Sequence, residues 1–212
     1  MKNLISVSGK KGSGKNLVAA IITDLTCDQA PWEVKSFADK LKYITCSLIG
    51  CTREQLEDRE FKETPLGEEW DRYYMMDTFE SFMGVDIPVT RKYKLTPRLF
   101  LQLLGTECGR NIIHPNIWVN GLFADYNASS KWIISDTRFP NEIESVKKHN
   151  GLTIRINRDS FLRTGKVFDT DNHESETALD DYQGFDYVIN NNGTIKALKE
   201  VVKDILIKEH II

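Results

Sequence analysis

The chain has 212 residues, enough for one well-buried core, so one domain with a small insertion is the first expectation. Its residues are 41% hydrophobic and 28% charged, which is ordinary for a globular protein and gives no reason to expect disorder. The net charge of -3 argues against a nucleic-acid-binding protein, which usually has a basic excess, and no apolar run reaches membrane-spanning length.

The first predicted element is a buried strand at residues 4–7, followed by a glycine-rich turn and a helix. The spacing Gly9-x-x-x-x-Gly14-Lys15 matches a phosphate-binding loop at every position but the last. Glycines let backbone N–H groups approach a phosphate, the helix N-terminus adds partial positive charge, and the lysine reaches the β- and γ-phosphates. Asn16 stands where a hydroxyl normally contacts Mg²⁺. The alternative is a glycine-rich turn with a solvated lysine.

Two further elements follow the loop helix, which is predicted to end near Asp28. Residues 33–37 predict a second strand, and apolar side chains at helical spacing predict a helix over residues 38–50. Lys40 and Lys42 lie in the first turn of that helix, one strand away from the phosphate loop. Solvated lysines on a helix face are the alternative interpretation.

Residues 51–95 differ in character from the rest of the chain, because no apolar period holds and charge is dense. Thr52 could open a helix with a capping box. We expect an insertion over the strand ends that is partly helical and mobile.

Thr96 and Pro97 predict the next helix start, with threonine as N-cap and proline at the first helical position. Arg98, Gln102 and Thr106 follow at four-residue spacing. A guanidinium and an amide one turn apart can hold a phosphate and a base edge together, whereas the alternative is a solvated polar face. A core face is predicted from four apolar residues: Leu99, Phe100, Leu103 and Leu104.

Trp118 lies in a further predicted helix, either in the core or as a stacking platform. Residues 131–135 predict a strand, and Asp136 and Arg138 follow at its end. Because the carboxyl ends of parallel strands face the ligand crevice, the acid could hold Mg²⁺ through water and the arginine could contact a phosphate. An ion pair between them with capping duty is the alternative. A helix is predicted from residue 139 through residue 146.

The last third of the chain continues the alternation. Residues 152–156 and 185–189 predict strands, residues 173–179 a short helix, and residues 194–206 a final helix. Residues 157–172 lack a core pattern and form either a plain surface loop or a lid. The cations of this loop are Arg158, Arg163 and Lys166. The order of elements predicts an α/β fold in which a five-stranded parallel sheet is covered by helices.

Several segments along almost the whole chain share one family's pattern. They are Gly14-Lys15, Phe37-Ala-Asp-Lys-Leu-Lys42, the block from Arg98 to Glu107, Trp118, Asp136-Thr-Arg138 with Glu142, His173-Glu-Ser-Glu176 and Val188-Ile-Asn-Asn. The chain resembles the deoxynucleoside monophosphate kinases of tailed phages, a branch of the P-loop nucleotide kinases. The glycine loop alone is common to many families, whereas the block at 98–107 with its downstream partners is much more specific. The resemblance implies a three-layer P-loop kinase fold with sheet order 2-3-1-4-5.

The resemblance also implies transfer of the ATP γ-phosphoryl group to a deoxynucleoside monophosphate, with roles for individual residues. ATP phosphates would be bound by Lys11, Gly12, Ser13, Gly14, Lys15, Asn16 and Leu17. The monophosphate would be bound by Lys42, Arg98, Gln102, Trp118, Asp136, Arg138 and Glu142. The catalytic cations would be Lys15, Arg138 and Arg158, with Arg163 as a second lid arginine. The family typically has Asp-Thr after the loop lysine, and Asn16-Leu17 lacks both the acid and the hydroxyl. Mg²⁺ would therefore depend on Asp136 through water.

The implied organisation is a single kinase domain over residues 1–212, with a monophosphate-binding insertion at 51–95 and a lid-like loop at 157–172. ATP and Mg²⁺ are the implied cofactors, and small nucleotides are the implied partners, without nucleic acid or membrane. The sequence leaves a homodimer open. The four cysteines lack C-x-x-C or zinc spacing, which indicates free thiols in the cytoplasm, that of the host if a phage encodes the protein. Another P-loop small-molecule kinase and a non-catalytic nucleotide-binding regulator remain as alternatives.

Overall fold

The computed structural model describes residues 2–28, 31–82, 85–127, 129–159 and 174–212. Within 72–93 it describes the backbone alone. The described residues form two compact units. The first unit comprises Met1–Asp39 and Asn116–Ile212, and the second unit comprises Lys40–Pro115. The second unit begins before the predicted insertion at 51–95 and ends after it.

The two units together contain the following strands and helices among the described residues. The strands in chain order are β1 (Leu4–Ser8), β2 (Glu33–Lys35), β3 (Arg72–Phe82), β4 (Val85–Tyr93), β5 (Trp132–Thr137), β6 (Leu152–Asn157) and β7 (Tyr187–Asn190). The α-helices are α1 (Lys15–Leu25), α2 (Asp39–Ile49), α3 (Arg53–Glu57), α4 (Arg59–Glu63), α5 (Pro97–Gln102), α6 (Ile117–Phe123), α7 (Pro140–Lys148), α8 (Glu174–Thr177) and α9 (Ile195–Lys208). A 3-10 turn covers Glu68–Trp70, and a π-helix continues α5 over Leu103–Ile113.

The first unit is built on a parallel sheet with strand order β2-β5-β1-β6-β7. Counting only the strands of this sheet in chain order, the order is 2-3-1-4-5, which confirms the prediction. The register pairs Ile5 of β1 with Ile133 of β5 and with Leu152 of β6. All three side chains are fully buried, which accounts for the continuous apolar runs of these strands.

Both faces of the sheet are covered, which confirms the three-layer α/β fold. On one face α1 and α9 pack against the sheet in a cluster that includes Val18, Ile22 and Val202. On the other face Phe37 and Val119 pack against strand residues. Burial of apolar surface on both faces is the main stabilising term for such a sheet.

The strand boundaries differ from the predicted ones by one or two residues. β2 stops at Lys35 rather than residue 37, because the N–H groups of Phe37 and Ala38 donate to the carboxylate of Asp136 instead of to a neighbouring strand. β5 extends through Thr137, so Asp136 lies within the strand and not after it. β7 begins at Tyr187, later than the predicted residue 185, and the carboxylate of Asp186 just before it accepts the N–H of Thr153 at 2.8 Å.

The second unit contains short helices and a hairpin. Thr52 and Gln55 form the expected capping box at α3, and β3 pairs with β4 in antiparallel fashion. The Thr96 hydroxyl accepts the N–H of Leu99, and Pro97 lies in the first turn of α5, which confirms the predicted helix start. The predicted core face of this helix is less buried than expected. Its four residues are only half-buried: Leu99, Phe100, Leu103 and Leu104. Among the described residues, no helix has the length and apolar character needed to cross a membrane.

Candidate active site

The phosphate loop lies between β1 and α1 in the first unit. Gly12 and Gly14 have φ angles of 78° and 104°, a backbone region that residues other than glycine rarely adopt. The buried Asn191, just after β7, donates from its side-chain nitrogen to the Ser13 carbonyl at 2.8 Å. A Cβ atom at Gly14 would lie 2.5 Å from that nitrogen, so the loop conformation requires glycine there. The predicted strand-loop-helix context is thus confirmed.

The Lys15 ammonium folds back over the loop. It donates to the carbonyl of Gly9 and to that of Lys10, at 2.9 Å for Lys10. Burial, reinforced by the neighbouring Arg138, lowers the pKa of Lys15 to about 8, while Glu176 and Asp136 act in the opposite direction. The fold therefore brings Lys15, Asp136 and Arg138 into electrostatic range of one another, although they lie far apart in sequence.

Asp136 organises the turn that leads into α2. Its carboxylate accepts the N–H of Phe37 at 2.8 Å, the N–H of Ala38 at 3.1 Å and the hydroxyl of Ser36. This is the capping duty that the sequence left open. The sequence also allowed an ion pair between Asp136 and Arg138. In the structure the guanidinium of Arg138 pairs with Glu176 instead.

Arg138 is fixed through both its backbone and its side chain. The buried carboxylate of Glu142 accepts the N–H of Arg138 at 2.7 Å and that of Phe139 at 3.1 Å. Glu142 is 2% exposed, and it terminates β5 by accepting these two N–H groups at the start of α7. The Arg138 guanidinium also donates to the Ser175 carbonyl at 3.3 Å. These two hydrogen bonds from Arg138 and Phe139 to Glu142 position the backbone of Arg138.

A third cation, Arg155 of β6, also contacts the end of β1 next to the loop. Its side chain is 12% exposed, donates to the Ser8 hydroxyl at 3.1 Å and lies 3.5 Å from the carboxylate of Asp180. Asp180 also pairs with Lys10 at 2.7 Å. Burial lowers the pKa of Arg155, and the carboxylates of Asp180 and Glu176 oppose that shift.

Sequence reasoning gave no role to Lys10, Arg155 or Asp180, and Asn191 and Glu176 appeared only as parts of family motifs. Their signals in sequence are weak, because each is a common polar residue in a loop or at a strand end. They meet only when β6, β7 and α8 are brought to the carboxyl edge of the sheet.

The remaining phosphate-loop residues have mixed exposure. Lys11, Gly12 and Asn16 are exposed, whereas Leu17 packs against the core. The hydroxyl of Ser13 is buried and has no hydrogen-bond partner among the described residues. A buried donor of this kind is available to a ligand oxygen.

Two other predicted residues of the first unit have different environments. Trp118 in α6 is 6% exposed, which corresponds to the core interpretation of this side chain. Arg158 is exposed just after β6. Residues 160–172 of the predicted lid, including Arg163, lie outside the described residues.

The second unit holds its predicted cations in ion pairs. Lys42 of α2 pairs with Glu57 at 2.7 Å, and Arg98 of α5 pairs with Glu63 at 2.6 Å. Both cations are partly buried rather than fully solvated, and Gln102 is half-buried. Carboxylates thus hold these two side chains in defined positions.

Comparisons with known proteins agree on one family. The family model for deoxynucleotide monophosphate kinase matches residues 36–202. A putative deoxynucleotide monophosphate kinase of Acanthamoeba polyphaga mimivirus is 30% identical over 207 residues, covering 91% of this chain and 90% of that protein. The deoxynucleoside-5'-monophosphate kinase of Escherichia phage T5 is 31% identical over 196 residues, covering 76% of this chain and 77% of that protein. The family match begins after the phosphate loop, so the loop geometry is a separate observation.

Proposed function

Because this chain belongs to the deoxynucleotide monophosphate kinase family, we propose that it transfers the γ-phosphoryl group of ATP to a deoxynucleoside monophosphate. One structural observation supports this activity above the others. Lys15, Arg138 and Arg155 converge on the phosphate loop, and the charges of both arginines lower the pKa of Lys15. Phosphoryl transfer needs such positioned positive charge, because negative charge spreads over the oxygens of the transferring group.

The proposed chemistry uses the first unit for the donor. The loop N–H groups and the start of α1 bind the ATP phosphates, and Lys15 exchanges its carbonyl partners for phosphate oxygens. Arg138 neutralises negative charge on the phosphoryl group during transfer. Glu142 accepts the backbone N–H of Arg138 and so keeps that arginine in position. No side chain acts as nucleophile, since an oxygen of the acceptor monophosphate attacks.

For the acceptor we propose Arg98, Lys42 and Gln102 of the second unit. A guanidinium binds a phosphate through two parallel hydrogen bonds, and an amide can meet a base edge. In the structure Arg98 pairs with Glu63 and Lys42 pairs with Glu57, so a bound anion would take the place of these carboxylates. Trp118 as a substrate contact and Arg158 as a lid cation stay predictions.

Mg²⁺ is implied by the family, and the donor set suits it only indirectly. Asp136 already accepts three hydrogen bonds, and the described residues contain no cluster of three or more acidic, histidine or cysteine side chains that could hold a metal. Mg²⁺ commonly keeps several waters and takes its other ligands from substrate phosphates. Asp136 would therefore hold the ion through water, and the ion would supply charge neutralisation on the phosphate oxygens.

The activity is tested by ADP release with ATP, Mg²⁺ and each of the four deoxynucleoside monophosphates, with ribonucleoside monophosphates as controls. We expect ADP with at least one deoxynucleotide. Protein that binds ATP and the monophosphates without releasing ADP would contradict a kinase. It would favour a regulator, consistent with the missing acid and hydroxyl at Asn16-Leu17. Turnover of a different acceptor alone would favour another small-molecule kinase.

A further inference from the structure

Two carboxylates from one short segment contact the groups around the phosphate loop. Glu176 lies in α8, and Asp180 follows it four residues later. Glu176 contacts the Arg138 guanidinium and accepts the backbone N–H of Lys11 at 3.3 Å. Asp180 contacts Lys10 at 2.7 Å and Arg155 at 3.5 Å.

These contacts have the same chemistry as phosphate contacts. A phosphate on this loop would accept backbone N–H groups, lysine ammonium groups and arginine guanidinium groups. Glu176 and Asp180 engage one loop N–H, one loop lysine and both neighbouring arginines. The negative charge of Glu176 also opposes the lowering of the Lys15 pKa, as the charge of a nearby phosphate would.

We propose that Glu176 and Asp180 are internal competitors for the phosphate-binding groups, and that ATP binds by displacing them. This inference rests on the proposed function, since it assigns ATP to the same loop. The two carboxylates occupy the cations until a nucleotide arrives. ATP must break these contacts in order to bind, so they raise the Kd for ATP. They are positioning residues, because they act through the arginines and the loop.

The opposite role is a permanent brace that keeps Arg138 and Arg155 in place while ATP is bound. The two roles predict opposite signs. Removing a permanent brace weakens ATP binding, because the arginines lose their orientation. Removing a competitor strengthens ATP binding, because nothing has to be displaced.

The size of the effect follows from the exposure of the pairs. The side chains of Arg138 and Lys10 are 37% and 28% exposed, so solvent screens the Glu176–Arg138 and Asp180–Lys10 pairs and each is weak. We expect each neutralised carboxylate to lower the Kd for an ATP analogue about threefold, and the double variant to lower it more.

The experiment measures Kd by calorimetry for a non-hydrolysable ATP analogue and for inorganic tripolyphosphate. The variants are Glu176→Gln, Asp180→Asn and the double variant. Glu174→Gln and Asp181→Asn are matched controls, because both residues are exposed on the same segment and lose the same charge. A thermal melt of each variant verifies folding.

The proposal predicts tighter binding of both probes by the three variants, unchanged binding by the two controls, and a lower KM for ATP in turnover. Weaker binding, or equal tightening by the controls, overturns it. If the wild-type protein binds ATP and releases ADP while Glu176→Gln weakens binding, the competitor role fails and the kinase activity stands. If the wild-type protein binds neither probe, both proposals fail.

Discussion

Replacing Lys15 by methionine should stabilise the protein in the absence of nucleotide, although it removes the lysine that we propose as a catalytic group. Burial, reinforced by Arg138, lowers the pKa of Lys15 from 10.5 to about 8. The folded state therefore disfavours the charge that Lys15 carries at pH 7. Methionine has a similar length and no charge, so Lys15→Met removes this cost.

The pKa shift sets the magnitude of the effect. A shift of one pH unit corresponds to 1.36 kcal/mol, so the shift from 10.5 to about 8 corresponds to about 3 kcal/mol at most. Hydrogen bonds from Lys15 to the carbonyls of Gly9 and Lys10 offset part of it, at about 1 kcal/mol each. We expect a net gain of about 1 to 2 kcal/mol, which raises Tm by roughly 2–8 °C for a chain of this size.

The pH dependence separates this cause from better packing. Between about pH 8 and pH 10.5 the unfolded state binds the Lys15 proton and the folded state does not, so wild-type stability rises with pH in that window. The advantage of Lys15→Met should be largest at pH 7 and should shrink as the pH approaches 10.5.

The assay is thermal unfolding without nucleotide at pH 7, 8.5 and 10, with Lys196→Met as control. Lys196 is exposed on α9, so its replacement changes the same charge without burial. Turnover of Lys15→Met should fall on the order of a hundredfold or more, as when a preorganised charge contact is lost. A lower Tm at pH 7, or a difference independent of pH, would refute the reasoning.

Arg98→Ala should raise the KM for the monophosphate strongly and leave the KM for ATP nearly unchanged in steady-state kinetics; equal weakening of both substrates would contradict the acceptor assignment. Asn191→Ala should lower the free energy of unfolding by about 1–2 kcal/mol in urea titration, because the buried Ser13 carbonyl loses its donor, and should raise the KM for ATP. If Asn191→Ala changes neither the free energy of unfolding nor the KM for ATP, the Asn191 side chain does not stabilise the phosphate loop. Removal of divalent cations with a chelator should abolish ADP release, and added Mg²⁺ should restore it; full activity in chelator would exclude a metal requirement.

The sequence by itself determined the elements whose signals are local. The phosphate loop depends on glycines within one turn, and the helix starts at Thr96 and Thr194 depend on a side chain that caps its own helix. The buried strands were visible because parallel strands covered on both faces are apolar throughout. The family pattern then gave the strand order, since it extends over almost the whole chain.

Strand ends were decided by contacts that sequence periodicity does not contain. β2 is shorter than predicted because Asp136, 98 residues beyond Ala38, accepts the N–H groups that would have continued the strand. Similarly, the helical spacing of Leu99 and its apolar neighbours predicted a helix but not how deeply that helix is buried, because burial depends on what packs against its apolar face.

The candidate site combines both kinds of information. Lys15 and Arg138 were recognised from motifs, but their partners were fixed only by the tertiary structure. Arg138 meets Glu176 across 38 residues, Lys10 meets Asp180 across 170 residues, and Asn191 meets Ser13 across 178 residues. Polar residues of this kind have many candidate partners in sequence. The choice among them is made when the parallel sheet brings the carboxyl ends of its strands to one edge, where short-range charge and hydrogen-bond contacts select the pairs.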